Sequence, residues 1–267
     1  EANGLIEKSR DMGATWVCVS FSVWAFLFHK GATIGWGSRK AAQVDKIGDM
    51  SSIFEKLRFQ ILATPSLLYP EGFDVSEHMN QMKIYEPSGN SITGEAGDDV
   101  GRGGRTKIYF KDESAHYEHP EMIEAALGDN TRCQIDISSV NGLGNVFHRR
   151  REAGIEWVPG TEVVKGKTNV FVMDWSDHPA KTREWYEARK NAAMEEGMLH
   201  IFGQEVDRDY ASSVEGVIIP AEWVQSAIDA HTTLGFDTGR GWYAGLDVAD
   251  EGAQRGVAIV HERVRPS

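Results

Sequence analysis

Residues 4–28 of the chain, GLIEKSRDMGATWVCVSFSVWAFLF, decide its fold. The apolar run at Gly4–Glu7 predicts a short strand, Lys8–Thr15 is a glycine-containing loop, and Trp16–His29 predicts an apolar helix. A loop between a strand and a helix directs backbone N–H groups and the helix N-terminus towards one point. We therefore expect this loop to bind an anion, in particular a phosphate group.

The loop follows the phosphate-binding pattern G-x-x-x-x-G-K-[ST] only in part. Gly13 permits close backbone approach, and Thr15 stands where a hydroxyl binds Mg²⁺. The first glycine is missing and Ala14 occupies the lysine position, so Lys8 would supply the ammonium from the opposite side of the phosphates. An ordinary turn is the alternative. The predicted phosphate contacts are Lys8, Ser9, Arg10, Asp11, Met12, Gly13, Ala14 and Thr15.

A second strand, Lys107–Phe110, is followed closely by the carboxylates Asp112 and Glu113. Phosphoryl transfer to water needs a metal ion and an oriented water molecule. Asp112 is expected to hold the Mg²⁺ shell and Glu113 to polarise the water. The alternative is a solvated strand terminus, which is less attractive when a phosphate loop lies about a hundred residues upstream.

A third strand, Arg132–Ile137, is followed by Ser138 and Ser139 and by an Asn-Gly turn. A serine beside a terminal phosphate can respond to the presence of that phosphate and pass the change to the next loop. The alternative is a plain turn.

Strands alternating with helices along the chain predict an α/β fold with a mainly parallel sheet. Ser38 is a plausible N-cap for a helix over residues 39–48. Met82–Pro87 and Ser91–Glu95 are expected to pair through a short turn. A linker-like run places a domain boundary near Thr232–Gly241, which gives domains 1–234 and 235–267. Strands at 242–248 and 257–262 then form a hairpin, and the chain has the pattern of one cut at both ends.

The composition is that of a soluble globular protein, with a formal net charge of −12. This charge argues against a protein that coats nucleic acid with its whole surface, although local DNA contact stays open. The basic runs at residues 149–151 and 165–167 are expected to be a solvated helix end and a hairpin tip. Cys18 and Cys133 are expected to be reduced core residues. No signal peptide or membrane span is expected.

The three strand ends, in this order, resemble the large terminase subunit of tailed bacteriophages. Residues 8–15 look like its deviant Walker A loop, residues 108–113 like its Walker B strand, and residues 138–147 like its coupling motif. Gly101-Arg102-Gly103-Gly104 resembles a segment that carries a catalytic arginine. Residues 245–252 resemble the first strand of an RNase H-like nuclease domain, with Asp247 as its first metal ligand.

The resemblance implies a P-loop ATPase of the ASCE/RecA-like type, with a mainly parallel central sheet, followed by the first strands of a truncated RNase H-like nuclease domain. It implies ATP and Mg²⁺ as cofactors, with Mg²⁺ or Mn²⁺ for the nuclease, and ATP hydrolysis coupled to translocation of double-stranded viral DNA into a procapsid. The implied partners are double-stranded DNA, a portal protein, a small terminase subunit and other copies in a ring on the portal, in the host cytoplasm and without a membrane. Arg10 would contact the γ-phosphate in cis, and Arg102, or failing it Arg105, would act in trans.

The chain also departs from the family pattern. The segment that helps to hold adenine before Walker A is missing, and Gln254 and Arg255 stand where members often carry another aspartate. Nuclease activity of this chain is therefore doubtful, since two-metal hydrolysis needs further carboxylates. Two alternatives stay open: a helicase-like DNA repair ATPase, and a non-hydrolysing scaffold that binds nucleotide or DNA.

Overall fold

The computed structural model describes residues 2–212, 227, 230–235, 242–247 and 257–262. The chain divides into two compact units, Glu1–Val217 and Ile218–Ser267. This division lies before the boundary that the sequence favours near Thr232–Gly241. In the second unit the strands at 242–247 and 257–262 pair antiparallel, as expected from the sequence. The side chains of these two strands lie outside the described part of the structure.

A mostly parallel sheet of nine strands forms the centre of the first unit. The strands are β1 Asn3–Lys8, β2 Thr33–Ser38, β3 Met79–Asn80, β4 Lys83–Tyr85, β5 Ser91–Ala96, β6 Ile108–Asp112, β7 Gln134–Ser138, β8 Ile155–Glu156 and β9 Thr168–Met173, with β10 Trp242–Asp247 and β11 Val257–Glu262 in the second unit. The order in the sheet is β3-β4-β5-β2-β6-β7-β1-β9-β8. Within it, β4 pairs antiparallel with both β3 and β5. The predicted pairing of residues 82–87 with 91–95 is thus confirmed as β4 with β5.

Helices cover the sheet and bury its apolar side chains. Phe26 of the first helix and Trp36 and Phe110 of the sheet belong to the largest hydrophobic cluster, in which the last two rings stack. The helices are α1 Ala14–Phe28, α2 Ala41–Val44, α3 Ile53–Ala63, α4 Val75–His78, α5 Pro120–Asn130, α6 Val146–Glu152, α7 Arg183–Glu195, α8 Leu199–Phe202 and, in the second unit, α9 Ala230–Thr233. No helix within the described residues is both long and apolar enough to cross a membrane.

The predicted helix over residues 39–48 with Ser38 as its N-cap was wrong. Ser38 is the buried last residue of β2, where it pairs with Ala96 of β5. Only Ala41–Val44 is helical, and Lys40 is its N-cap. The backbone of Ser38 is thus committed to the sheet, and the N-cap lies two residues after the predicted one.

The basic run at 149–151 is not simply a solvated helix end. Arg149 is exposed, but Arg150 lies 3.2 Å from the buried Asp136, and Arg151 lies 3.0 Å from the buried Glu7. Residues 165–167 are exposed, as expected, but the predicted hairpin tip was wrong, because the flanking strands β8 and β9 are parallel. Cys18 is buried, as expected of a core residue, whereas Cys133 is only partly buried.

Candidate functional site

Three strand ends meet at the carboxyl edge of the sheet. Strand β7 lies between β1 and β6, and the register places Glu7 beside Ser138 and Asp112 beside Ile137. Because the carboxyl ends of neighbouring parallel strands lie at one edge, Lys8, Asp112 and Ser138 come together although they are far apart in sequence. The order of strands explains why three separate motifs form one site.

The loop after β1 has two residues in the left-handed backbone region, Asp11 with φ 58° and Gly13 with φ 76°. Helix α1 begins directly afterwards, at Ala14. The first N–H groups of a helix have no partner within the helix, and successive turns of this kind form a concave anion site. The geometry suits the phosphate loop that the sequence predicts.

The first part of the loop is already engaged within the protein. The amide of Ser9 donates to the Met173 carbonyl at 2.9 Å, and the amide of Arg10 donates to the Glu205 carbonyl at 2.6 Å. The Ser9 hydroxyl, which is buried, donates to the Val206 carbonyl at 2.6 Å. Ser9 therefore anchors the loop, and the groups that face open space belong to residues after it.

Two polar pairs join the loop to the end of β6. The Thr15 hydroxyl donates to Asp112 Oδ1 at 3.0 Å, and Lys8 Nζ lies 3.2 Å from Glu113 Oε1. The Ser138 hydroxyl donates to Glu113 Oε2 at 3.4 Å. Glu113 has a φ of 52°, which places its side chain at a sharp bend immediately after the strand. The structure therefore brings Lys8, Thr15, Asp112, Glu113 and Ser138 together.

Asp112 has an unusual electrostatic environment. Burial raises the pKa of its carboxyl from 3.8 to about 6, the Glu113 charge adds to the rise, and Lys8 and Thr15 oppose it. A carboxylate that is poorly solvated and close to a hydroxyl oxygen suits a hard divalent cation such as Mg²⁺. The described residues contain no group of three His, Cys, Asp or Glu side chains that would form a closed metal cage. Thr15 and Asp112 thus fit an ion that keeps water or phosphate oxygens as its other ligands.

A cavity of about 560 Å³ opens in front of these pairs. Its lining includes side chains that the sequence did not single out. Lys56, from α3, is buried, and this burial lowers its pKa against the opposing charge of Asp112. His116 also has a pKa lowered by burial. The cavity is lined by Lys8, Arg10, Asp11, Met12, Gly13, Ala14, Thr15, Trp16, Arg39, Gln43, Lys56, Glu113, His116 and Glu205.

Some of the remaining predicted site residues line the cavity and others lie outside it. Arg10 lines the cavity, but its guanidinium is largely exposed and lies 3.5 Å from Glu205 Oε2. Ser139 is buried and lies 3.5 Å from His116 Nε2. Arg102 and Arg105 are exposed and do not line the cavity, and the amides of Gly101 and Gly103 donate to Glu95. Asp247 ends β10, but its side chain lies outside the described residues.

The structure is similar to solved domains of known proteins. The large terminase ATPase domain of Thermus phage P74-26 superposes with a TM-score of 0.55 at 18% identity, covering 78% of this chain and 88% of that one. An arginine-to-alanine mutant of the same domain gives a TM-score of 0.53 at 17% identity, with the same coverage. The large terminase of a thermophilic bacteriophage, solved in complex with ADP, gives 0.49 at 12% identity, covering 78% and 48%.

These similarities confirm the fold expected from the resemblance. The chain has the mixed, mostly parallel α/β sheet of a large terminase ATPase domain. No protein-family model matches the sequence, and no curated protein matches it. The RNase H-like part of the expectation stays a prediction.

Proposed function

We propose that this protein is an ATP-hydrolysing motor subunit that translocates double-stranded viral DNA into a procapsid. One observation carries the proposal: Lys8, Glu113 and Thr15 line one cavity at the start of α1, where Lys8 pairs with Glu113 and Thr15 donates to Asp112. The shared fold with a large terminase ATPase domain supports it.

The side chains divide the chemistry among them. Lys8, the Arg10 side chain and the amides that follow Arg10 hold the β- and γ-phosphates of ATP, and Thr15 and Asp112 hold Mg²⁺. The ion neutralises the charge that develops on the phosphate oxygens during transfer. Glu113 orients the attacking water and accepts its proton. Ser138 and Ser139, which contact Glu113 and His116, sense whether the γ-phosphate is present.

The contact between Lys8 and Glu113 makes phosphate binding precede hydrolysis. An arriving γ-phosphate competes with Glu113 for the Lys8 ammonium, because both are anionic. Glu113 is then released to bind water only when the phosphate is in place. Hydrolysis thus depends on a loaded site.

The wider assignment rests on the resemblance to large terminases. The partners that we propose are double-stranded DNA, a portal protein, a small terminase subunit and further copies of this chain in a ring, in the host cytoplasm. Asp247 is proposed as one metal ligand of a nuclease site.

The test is DNA-stimulated ATP hydrolysis by the purified protein and by Glu113→Gln. We expect Glu113→Gln to bind ATP and to lose turnover by roughly 10²–10⁴-fold, the range for loss of a general base. Glu118→Gln is the matched control, since Glu118 is exposed and does not line the cavity. Wild-type turnover in Glu113→Gln would refute the assigned role.

A non-hydrolysing scaffold is the second candidate, and Ala14 in the usual lysine position favours it. In that case the wild-type protein binds nucleotide but shows no turnover with DNA, and the two glutamine variants are indistinguishable from it.

A further inference from the structure

A lysine outside the predicted motifs makes direct contact with the phosphate loop. Lys181 lies between β9 and α7, and only 9% of its surface is exposed. Its ammonium donates to the backbone carbonyl of Arg10 and, at 3.0 Å, to that of Asp11. Its position, about 170 residues after the loop, gave no sequence signal.

The carbonyls of Arg10 and Asp11 belong to the same two peptide groups as the amides of Asp11 and Met12. In a planar trans peptide, the C=O of one residue and the N–H of the next point in opposite directions. A cation that binds the carbonyls of Arg10 and Asp11 therefore directs the amides of Asp11 and Met12 away from itself. Both of these residues line the 560 Å³ cavity.

The backbone conformation of Asp11 needs such support. Its φ of 58° lies in the left-handed region, which is strained for most residues other than glycine. The carbonyls of Glu205 and Met173 hold the amides of Arg10 and Ser9, but they do not fix the two peptides that follow. Lys181 is the side chain placed to hold them.

We propose that Lys181 is a positioning residue: it fixes the peptides after Arg10 and Asp11 so that their amides face the phosphates of a bound nucleotide. This inference rests on the proposed function in naming the ligand, but the fixing of the loop itself does not depend on it. Lys181 lies immediately before α7, so the same contact connects the start of this helix to the loop that binds the phosphates.

The experiment compares Lys181→Met, Lys181→Arg and the exposed control Lys165→Met. NMR order parameters of the Asp11 and Met12 amides in the nucleotide-free protein report the two peptides that Lys181 holds. We expect these order parameters to fall from about 0.85, the value of a rigid backbone, to below about 0.6 in Lys181→Met. Lys181→Arg keeps a cation and should fall between Lys181→Met and the wild type, while Lys165→Met should not differ from the wild type.

Calorimetric binding of ADP with Mg²⁺ is the second measurement. We expect the Kd to rise about 10–100-fold in Lys181→Met, because misdirected amides lose charge-assisted bonds to phosphate. Unchanged order parameters of the Asp11 and Met12 amides in Lys181→Met overturn the positioning role. Lower order parameters with an unchanged Kd overturn its link to phosphate binding. If the order parameters fall but the wild type binds no ADP, the positioning role stands and the proposed function fails.

Discussion

Asp112 is the residue whose environment most clearly departs from that of an ordinary carboxylate. Its pKa is raised to about 6, chiefly by burial and then by the Glu113 charge, so the folded protein holds a proton that the unfolded chain releases near its ordinary pKa of 3.8. The associated stability is therefore fully present below the unfolded pKa and is lost as the pH rises through the folded pKa. A poorly solvated carboxylate that lowers the stability of the protein at neutral pH is typical of a cation-binding position.

Replacing Asp112 by asparagine tests the effect of the Asp112 charge on the stability of the protein. The amide keeps the shape and accepts the Thr15 hydrogen bond but carries no charge. At pH 8 we expect Asp112→Asn to raise the free energy of unfolding by about 1–3 kcal/mol, from a shift of about two pKa units discounted for partial exposure. At about pH 4 the difference should vanish, because the carboxyl is then protonated in the folded protein. Urea titrations at both pH values measure it, with the exposed Asp98→Asn as control. An advantage of equal size at both pH values would contradict the role of the charge.

The polar residues at the strand ends were predictable one by one, but their supports were not. Lys8, Thr15, Asp112 and Glu113 follow from local patterns of strand, loop and helix, and the structure brings them within hydrogen-bond distance of one another. Lys181 and Glu205 reach the loop from segments that carry no such pattern. A contact between segments so far apart in the sequence cannot be recognised from the residue pattern of either segment alone.

Among the elements, β1 carries a second charged residue immediately before the loop. Glu7 is only 3% exposed, and its carboxylate accepts from Arg208 at 2.7 Å, Arg151 at 3.0 Å and Tyr210 at 2.8 Å. These partners lie on α6 and on the segment after α8, so one carboxylate joins three parts of the first unit. Glu7 immediately precedes Lys8, which ties the packing of these segments to the site.

Removing this carboxylate should be costly. Glu7→Ala removes the buried carboxylate that Arg208 and Arg151 share and leaves them the more exposed Asp174 and Glu156. Breaking a buried ion pair costs about 3–5 kcal/mol. Because both arginines are partly solvated, we expect the free energy of unfolding to fall by about 2–4 kcal/mol in a urea titration. Glu121→Ala breaks the exposed pair with Arg149 and should change little. Equal effects of the two variants would show that the Glu7 cluster stabilises no more than a surface pair.

The elements themselves were largely predictable, because the alternation of apolar strands and helices is a local signal. The two-residue strands β3 and β8 are too short to produce a periodic pattern. The sheet order was a different matter: placing β7 between β1 and β6 is a property of long-range packing. The strand pattern and the resemblance both predicted a mainly parallel sheet, and neither prediction included the order of its strands.

The whole protein has a formal net charge of −12, whereas the cavity lining has a small positive charge. Four cations, Lys8, Arg10, Arg39 and Lys56, line the cavity with three carboxylates, Asp11, Glu113 and Glu205. A locally positive site of this kind attracts a polyanionic ligand although the whole molecule is negative. The charge also means that the DNA contact that we propose has to be local. In the proposed ring several copies surround the DNA, and we expect the surface of one subunit to face the cavity of the next.

Arg102 is the candidate for such a contribution between subunits. It is exposed, it lies outside the cavity of its own subunit, and Glu95 fixes the amides on both sides of it, so the side chain projects from a defined loop. A guanidinium that reaches a neighbour's γ-phosphate is worth roughly 10³–10⁵ in rate. We therefore expect Arg102→Ala alone to hydrolyse ATP poorly while binding it normally.

Mixing two inactive variants decides whether this arginine acts in trans. In assemblies of Arg102→Ala with Glu113→Gln, some interfaces join an intact Glu113 site to an intact Arg102, roughly a quarter for random 1:1 mixing in a head-to-tail ring. Part of the ATPase activity should then return, whereas neither variant recovers by itself. Arg105→Ala, on the same exposed loop, is the matched comparison: if it abolishes activity and complements Glu113→Gln while Arg102→Ala does not, the finger is Arg105. Full activity of Arg102→Ala, or no recovery in mixed assemblies verified by mass, would remove Arg102 from the reaction, since a residue that acts across an interface has to be rescued by a neighbour that supplies it.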